Sequence, residues 1–237
     1  MLGVAYTEIW QNTLHSSTIW IFTFVLVVLF PLLDYILYAR LKSTLQIYAW
    51  NIIAEWALVV ACVCVTRPHG LRLVDLGEQL GNPRRTLPVA AVLTAVIGVL
   101  IVLSKKQKRT ASPVQVSKAL DKVRRMLPLS ETERTVFVVV ALTAGVCEEF
   151  LYRGWLLNLL AVALGSVWIG LVVSAFVFGV AHAYQGRSGM IGASLLGCVF
   201  GFLFLLTGGL LLGQVLHTVI DLNNGLALGK SVTRSEP

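Results

Sequence analysis

Residues 135–163 read TVFVVVALTAGVCEEFLYRGWLLNLLAVA, and this apolar stretch decides the fold class. It contains only three charged residues, Glu148, Glu149 and Arg153. A helix rises about 1.5 Å per residue, and about 20 apolar residues span the hydrocarbon core of a bilayer, so the stretch is long enough to cross a membrane. We therefore predict a membrane helix that carries a polar group at lipid depth.

The composition of the whole chain extends this prediction. Of its 237 residues, 57% are hydrophobic and 13% are charged, whereas about a quarter of the residues of a soluble domain are charged. Such a chain has too little polar surface to cover itself in water, so lipid must be part of its solvent. The apolar runs are long and continuous, which favours helices over the short alternating segments of a β-barrel. We predict an all-α, polytopic transmembrane helical bundle with about seven to eight membrane helices.

The apolar runs divide the chain into four regions. They are N-terminal transmembrane helices in 1–104, a basic cytoplasmic amphipathic connector in 105–130, a C-terminal transmembrane core in 131–229 and a polar tail in 230–237. The first region contains predicted spans near 18–38, 45–66 and 87–103. The core contains predicted helices near 131–163, 166–184, 189–206 and 209–229.

The connector is the most basic part of a chain whose formal net charge is +7. Residues 114–127 carry a helical stripe of apolar positions, which is typical of a helix lying on a membrane surface; a solvated connecting helix is the alternative. Because the basic residues lie between apolar runs, they indicate loops at an anionic cytoplasmic surface and exclude nucleic acid as the partner. We expect residues 104–130 and the C-terminal tail to be cytoplasmic and the N-terminus to be outside.

Glycine is concentrated in the C-terminal half, which contains fifteen of the twenty glycines. Several recur at four-residue spacing, as Gly197 and Gly201 do, and small residues so placed let helices approach closely in lipid. The core should therefore be tightly packed.

Polar side chains at lipid depth mark the candidate site. Glu149 and Arg153 are four residues apart on one helix face and predict an ion pair, whereas Glu148 is rotated by about 100° and points elsewhere. A charge at mid-membrane costs about 2.5–3.5 kcal/mol on insertion scales, so such residues imply pairing and a wet cavity. A free carboxylate in such a cavity suits a general base.

Two histidines complete this pattern. His182 ends an apolar run, and His217 shares a helix face with Asp221, with Asn224 one turn further on. Each feature alone has a structural explanation, as an interfacial histidine or a structural hydrogen bond. Asp34 and Glu55, in the N-terminal spans, we interpret as interfacial or helix-pairing residues.

At these residues the chain resembles the CPBP family of intramembrane proteases, also called the Abi or type II CAAX prenyl endopeptidase family. Three motifs of that family occur in order: EEFLYR at 148–153 matches E-E-x-x-x-R, FGVAH at 178–182 matches F-x-x-x-H, and HTVID at 217–221 matches H-x-x-x-[N/D]. The resemblance covers about residues 130–229.

The resemblance implies a role for each matching position. Glu148 would activate water, His182 would help to bind it, and His217 with Asp221 would stabilise the oxyanion, while Glu149 and Arg153 support the site. Members that cleave prenylated proteins resemble H-x-x-x-N. Asp221 cannot donate a hydrogen bond unless it is protonated, so we expect Asp221 to orient His217 and keep Asn224 as a fallback donor.

The expected partners and cofactors follow from the same resemblance. We expect a membrane protein or lipidated peptide as the substrate, the lipid bilayer as the surroundings, and a prokaryotic plasma membrane with the active site toward the cytoplasm. We expect no required metal; zinc held by Glu148, His182 and His217 is the alternative.

Two other functions remain open on the sequence. Buried charges also mark proton-coupled transporters, although no inverted repeat is visible in this chain. A non-catalytic membrane scaffold or bacteriocin-immunity-type protein is the second alternative function.

Overall fold

A computed structural model describes residues 8–93 and 123–235, and this part of the chain is all-helical. Short 3₁₀ turns aside, it contains eight helices and no strand. We label the helices in chain order: α1 (Glu8–Thr13), α2 (Ser17–Arg40), α3 (Thr44–Thr66), α4 (83–93, as far as it is described), α5 (Glu131–Ala163), α6 (Val167–Ala181), α7 (Gly186–Thr207) and α8 (Leu211–Ser235). The predicted helical bundle is confirmed.

Four helical stretches are long and apolar enough to cross a membrane: Ser17–Arg40, Thr44–His69, Glu131–Ala163 and Ala183–Thr207. Large apolar side chains on them face outward, as Ile21 and Ile53 do at 63% and 67% exposure, which suits contact with lipid. The chain is an integral membrane protein. These four spans are fewer than the seven to eight predicted. Helix α6 has only 15 residues, α8 is not apolar enough, and the span predicted near 87–103 runs beyond the described residues.

The long helices begin where the sequence provides side-chain caps. Ser43 accepts a hydrogen bond from the backbone N–H of Gln46, whose side chain in turn caps the backbone of Ser43, and this capping box starts α3. Ser130 and Glu133 form the same arrangement at the start of α5. These local signals explain why both helices begin within one residue of their predicted positions.

The basic connector is only partly described. The surface helix predicted at 114–127 lies outside the described residues up to position 122, and its end contains a 3₁₀ turn, Arg124–Met126. This end is attached to the bundle, since the Tyr48 hydroxyl donates to the Met126 carbonyl oxygen at 2.7 Å. The Arg125 guanidinium donates to the Tyr38 carbonyl oxygen at 3.1 Å. The connector therefore meets α2 and α3 at the end of the bundle that carries Arg40.

Close contact between α5 and α8 depends on glycine. A Cβ added at Gly145 would lie 2.8 Å from the Gln214 carbonyl oxygen and 2.9 Å from the Thr218 backbone nitrogen, and would also collide with the Thr218 hydroxyl. On the adjoining pair of helices, a Cβ at Gly197 would lie 3.1 Å from Ala175. The predicted close approach of helices in the C-terminal half is confirmed at these positions.

At the opposite end of the bundle, the loop after α3 is attached to the α7–α8 turn. The backbone N–H of Asn82 donates to the Thr207 carbonyl oxygen at 2.8 Å, and that of Leu210 donates to the Gly77 carbonyl oxygen at 2.9 Å. Gly77 and Gly81 both have positive φ, at 82° and 81°, a conformation that glycine adopts without strain. We call these contacts the loop latch, and they fix the start of α8 against the N-terminal half of the chain.

The glycine contact makes a testable prediction about stability. Gly145→Ala should lower the free energy of unfolding by about 1–3 kcal/mol, because the new methyl group meets backbone atoms of α8 that cannot move independently. Gly192→Ala is the matched control, since a Cβ there meets nothing within 4 Å and alanine favours a helix over glycine. Unfolding in mixed detergent micelles measures the stability of the two variants. Equal stability of the two variants would contradict the close contact.

Candidate active site

Three separate helices bring the motif residues together. Glu148 ends the α-helical part of α5, and Glu149–Leu157 continue that helix as a π-helix. His182 lies directly after α6, and His217 and Asp221 lie one turn apart on α8. The π-helical stretch was not predicted from the sequence. Such stretches are rare and are frequent at functional sites.

The two histidines face the same oxygen atom of Glu148. The Nε2 atom of His217 lies 3.7 Å from Glu148 Oε2, and the Nε2 atom of His182 lies 4.0 Å from it. These separations are too long for direct hydrogen bonds. They suit a small polar molecule that bridges the three groups.

Each histidine ring is held through its other nitrogen. His182 Nδ1 lies 2.8 Å from the Phe178 carbonyl oxygen, so Nδ1 carries the proton and donates. His217 Nδ1 lies 2.9 Å from Glu149 Oε1 in a buried contact. Because a carboxylate accepts hydrogen bonds, we assign this Nδ1 as a donor as well. Both Nε2 atoms are therefore directed at Glu148.

Glu149 also forms the predicted ion pair with Arg153. Its Oε1 lies 3.2 Å from Arg153 Nη1, and both side chains are almost completely buried. The contact is an ion pair without aligned hydrogen bonds, since neither terminal nitrogen of Arg153 has a hydrogen-bond partner. The guanidinium instead lies over the Phe178 ring at 4.2 Å from its centroid, and cation–π attraction strengthens with desolvation.

The expected role of Asp221 requires a correction. Asp221 Oδ2 lies 3.6 Å from His217 Nε2, beyond hydrogen-bond distance, and the Asp221 side chain is 36% exposed. The group that orients His217 is Glu149, which binds the opposite nitrogen. Sequence spacing favoured Asp221 because it is four residues from His217 on one helix. The Glu149 contact joins α5 to α8 and is therefore invisible to spacing within a helix.

The fallback donor Asn224 is not brought to this cluster. Its side chain is exposed, and no hydrogen bond or ion pair within the described part of the chain joins it to Glu148, His182 or His217.

A cavity of about 40 Å³ lies beside Glu148 and His182. A water molecule needs about 10–15 Å³ of such space, so a few fit. Besides these two residues, the cavity is lined by residues of α2, α3, α5, the end of α6 and the α6–α7 connection: Phe30, Asp34, Asn51, Glu55, Leu151, Tyr152, Ala181 and Tyr184.

The sequence did not predict that Asp34 and Glu55 line the cavity beside Glu148. Asp34 does pair helices, because its carboxylate accepts a hydrogen bond from the indole N–H of Trp50 at 3.0 Å. Glu55 is only 7% exposed and lines the cavity, a position that its interpretation as an interfacial or helix-pairing residue did not include. The signal was present in the sequence, since a carboxylate in the middle of an apolar helix is as costly there as in the C-terminal half.

The donor atoms near Glu148 do not form a recognisable metal site. Among the described residues, no group of three or more histidine, cysteine, aspartate or glutamate side chains is arranged to hold a metal ion. Zinc held by Glu148, His182 and His217 stays the alternative to a site without metal.

Comparison with known proteins supports the resemblance that the motifs indicated. A family model described as type II CAAX prenyl endopeptidase Rce1-like matches residues 131–223, which include all three motifs. The resemblance to this family of membrane proteases is confirmed over that region, and peptidase activity is supported at the level of the family. Comparison with curated proteins and with solved structures gave no match.

The buried Glu149–Arg153 pair makes a prediction about stability. Glu149→Gln should cost about 3–5 kcal/mol of unfolding free energy, because it leaves the Arg153 charge buried without its partner. The matched control is Asp75→Asn in the exposed Arg72–Asp75 pair, which should change stability little because solvent screens that pair. Unfolding in detergent micelles compares the two, and an equally small effect of both substitutions would refute the buried ion pair.

Proposed function

We propose, from the similarity of residues 131–223 to the type II CAAX prenyl endopeptidases, that this chain is an intramembrane endopeptidase that cleaves a membrane-associated protein or peptide with water activated by Glu148. The observation that carries the proposal is the convergence of His182 Nε2 and His217 Nε2 on Glu148 Oε2, at 4.0 and 3.7 Å. A water molecule in this space can be polarised by one carboxylate and two ring nitrogens, as general base catalysis requires.

In the first step, Glu148 removes a proton from a water molecule that His182 holds through Nε2. The oxygen of that water attacks the carbonyl carbon of the scissile peptide bond, and the carbonyl oxygen becomes the oxyanion of a tetrahedral intermediate. The intermediate collapses as the bond from carbon to nitrogen breaks. The proton on Glu148 passes to the leaving nitrogen as that bond breaks, so the nitrogen departs as a neutral amine and the carboxylate of Glu148 is restored.

His217 stabilises the oxyanion in this reaction. A donor directed at the developing negative charge is worth about 2.7–4 kcal/mol in other acyl-transfer enzymes. Because Nδ1 of His217 is held by Glu149, Nε2 can donate only from the imidazolium form. Glu149, Glu148 and Asp221 lie within 3.7 Å of the ring nitrogens and stabilise that cation. Asp221 therefore acts on His217 by charge, without itself contacting the oxyanion.

The substrate we propose is a membrane-embedded or lipid-anchored protein, including prenylated proteins, that enters laterally from the bilayer. Asp34 and Glu148 line a small cavity between membrane helices, which has room for only a few water molecules. A second small cavity shares Asp34, Asn51 and Tyr184 and extends to Met126 beside the basic connector. Positive residues favour the cytoplasmic side, so we propose that the active site is nearest the cytoplasmic face of a prokaryotic plasma membrane.

Glu148→Gln and His182→Ala should each lower kcat/KM for a membrane-tethered peptide by about 10²–10⁴-fold, the usual contribution of general acid–base groups. Glutamine keeps the size of Glu148 but cannot accept the proton. The matched control is Glu131→Gln, which changes an exposed carboxylate in the first turn of the same helix and should leave hydrolysis unchanged. Purified protein in liposomes with mass-spectrometric detection of the products measures all three.

Unchanged hydrolysis in both site variants would exclude this mechanism. Substrate-driven proton flux without hydrolysis would instead favour a transporter, and biological function that survives Glu148→Gln would favour a scaffold. We also propose that no metal is required, so a chelator should leave wild-type hydrolysis intact; loss of activity with EDTA and recovery with zinc would contradict this.

A further inference from the structure

The cavity beside Glu148 has a second half that the proposed reaction does not use. We call Asp34, Asn51 and Glu55 the acidic half of the cavity; they are supplied by α2 and α3, outside the region that matches the family model. Water activation requires Glu148 and His182 on the opposite wall. Two further carboxylates at lipid depth therefore need another explanation, because their burial is costly.

Glu55 is the residue of this group that points to a ligand. Its side chain is more than nine-tenths buried, and its Oε2 atom has no hydrogen-bond partner. Asp34 differs, because Trp50 satisfies one of its oxygens. A buried carboxylate oxygen without a donor is destabilising, so such a group in a native protein requires a partner, which is a water molecule, an ion or a ligand.

The charges around the cavity select a cation as that ligand. Three carboxylates line the cavity, those of Asp34, Glu55 and Glu148, and no lysine or arginine is among its described lining residues. The nearby guanidinium of Arg153 is already committed to Glu149 and to the Phe178 ring. The lining also contains the neutral donors Asn51, Tyr152 and Tyr184, so the three carboxyl groups lack a cationic partner and suit a group that only donates hydrogen bonds.

The size and lining of the cavity select the kind of cation. A volume of about 40 Å³ admits an ammonium group, which is similar in size to a water molecule, more readily than a planar guanidinium. Phe30 and Leu151 supply apolar surface on which a methylene chain can lie, while the charged end reaches the carboxylates. No metal-binding arrangement is present among the described residues.

We infer that the acidic half of the cavity is a subsite for a lysine-type ammonium side chain of the substrate, with Glu55 as the group that receives it. This inference rests on the proposed peptidase function. Since Glu148 lines the same cavity, the bound lysine lies close in sequence to the cleaved bond. Glu55 is then a specificity-determining residue, whose Oε2 atom accepts a hydrogen bond from the bound ammonium group.

The test compares pairs of membrane-tethered peptides that differ only by lysine or norleucine, which has the same chain without the amine. A series of such pairs places the lysine or norleucine at each position on either side of the cleaved bond. At one position, kcat/KM for wild-type protein should be at least about tenfold higher with lysine, as expected for a buried charge-assisted hydrogen bond. In Glu55→Gln, the ratio of the lysine and norleucine values should fall to near one, whereas Glu55→Asp should retain part of the preference.

The outcomes separate this subsite from the proposed function. Equal cleavage of lysine and norleucine peptides at every position by wild-type protein would overturn the subsite, as would an unchanged ratio in Glu55→Gln. Because the readout is a ratio within one protein sample, partial misfolding of the variant does not alter it. Cleavage that is insensitive to Glu148→Gln would overturn the peptidase itself, whatever the lysine preference.

Discussion

The candidate site depends on one buried carboxylate, that of Glu149, because a single oxygen of it binds two partners from different helices. Oε1 lies 3.2 Å from Arg153 on its own helix and 2.9 Å from His217 on α8. Arg153 supplies the opposite charge next to this buried carboxylate, and the carboxylate in turn fixes the ring of His217. The orientation of the His217 ring is thus set by a buried ion pair on another helix.

Helix packing is what allows that contact to form. Because Gly145 has no side chain, α5 packs directly against α8 at Gln214 and Thr218. Gln214 lies about one turn before His217, and Thr218 directly follows it. In lipid, no hydrophobic driving force favours helix association, so close packing of small residues and buried polar contacts must supply it. The glycine contact and the Glu149–His217 contact therefore support each other, and both join the same two helices.

Much of this arrangement could be predicted from sequence, and the failures share one physical cause. Long apolar runs predicted the helices, and the cost of charges in lipid identified Glu148, His182 and His217 as a group. Spacing within one helix also predicted the Glu149–Arg153 pair. It could not predict that His217 is oriented by Glu149, because that contact depends on how two helices pack. The cost of burying a carboxylate marked Glu55 as unusual, but its position beside Glu148 and His182 depends on packing between elements about 100 residues apart in the chain.

The loop latch bears on how far the C-terminal region can be treated as a separable unit. Residues 77–82 hold the turn from which α8 begins, through hydrogen bonds from Asn82 to Thr207 and from Leu210 to Gly77. A fragment limited to the family-matched region would begin α8 without this restraint, and the register of the helix could slide along α5. The N-terminal half of the chain thus sets the position of the His217 imidazole along the axis of α8. A chimera that exchanges the N-terminal helices between homologues would have to include the loop of residues 77–82.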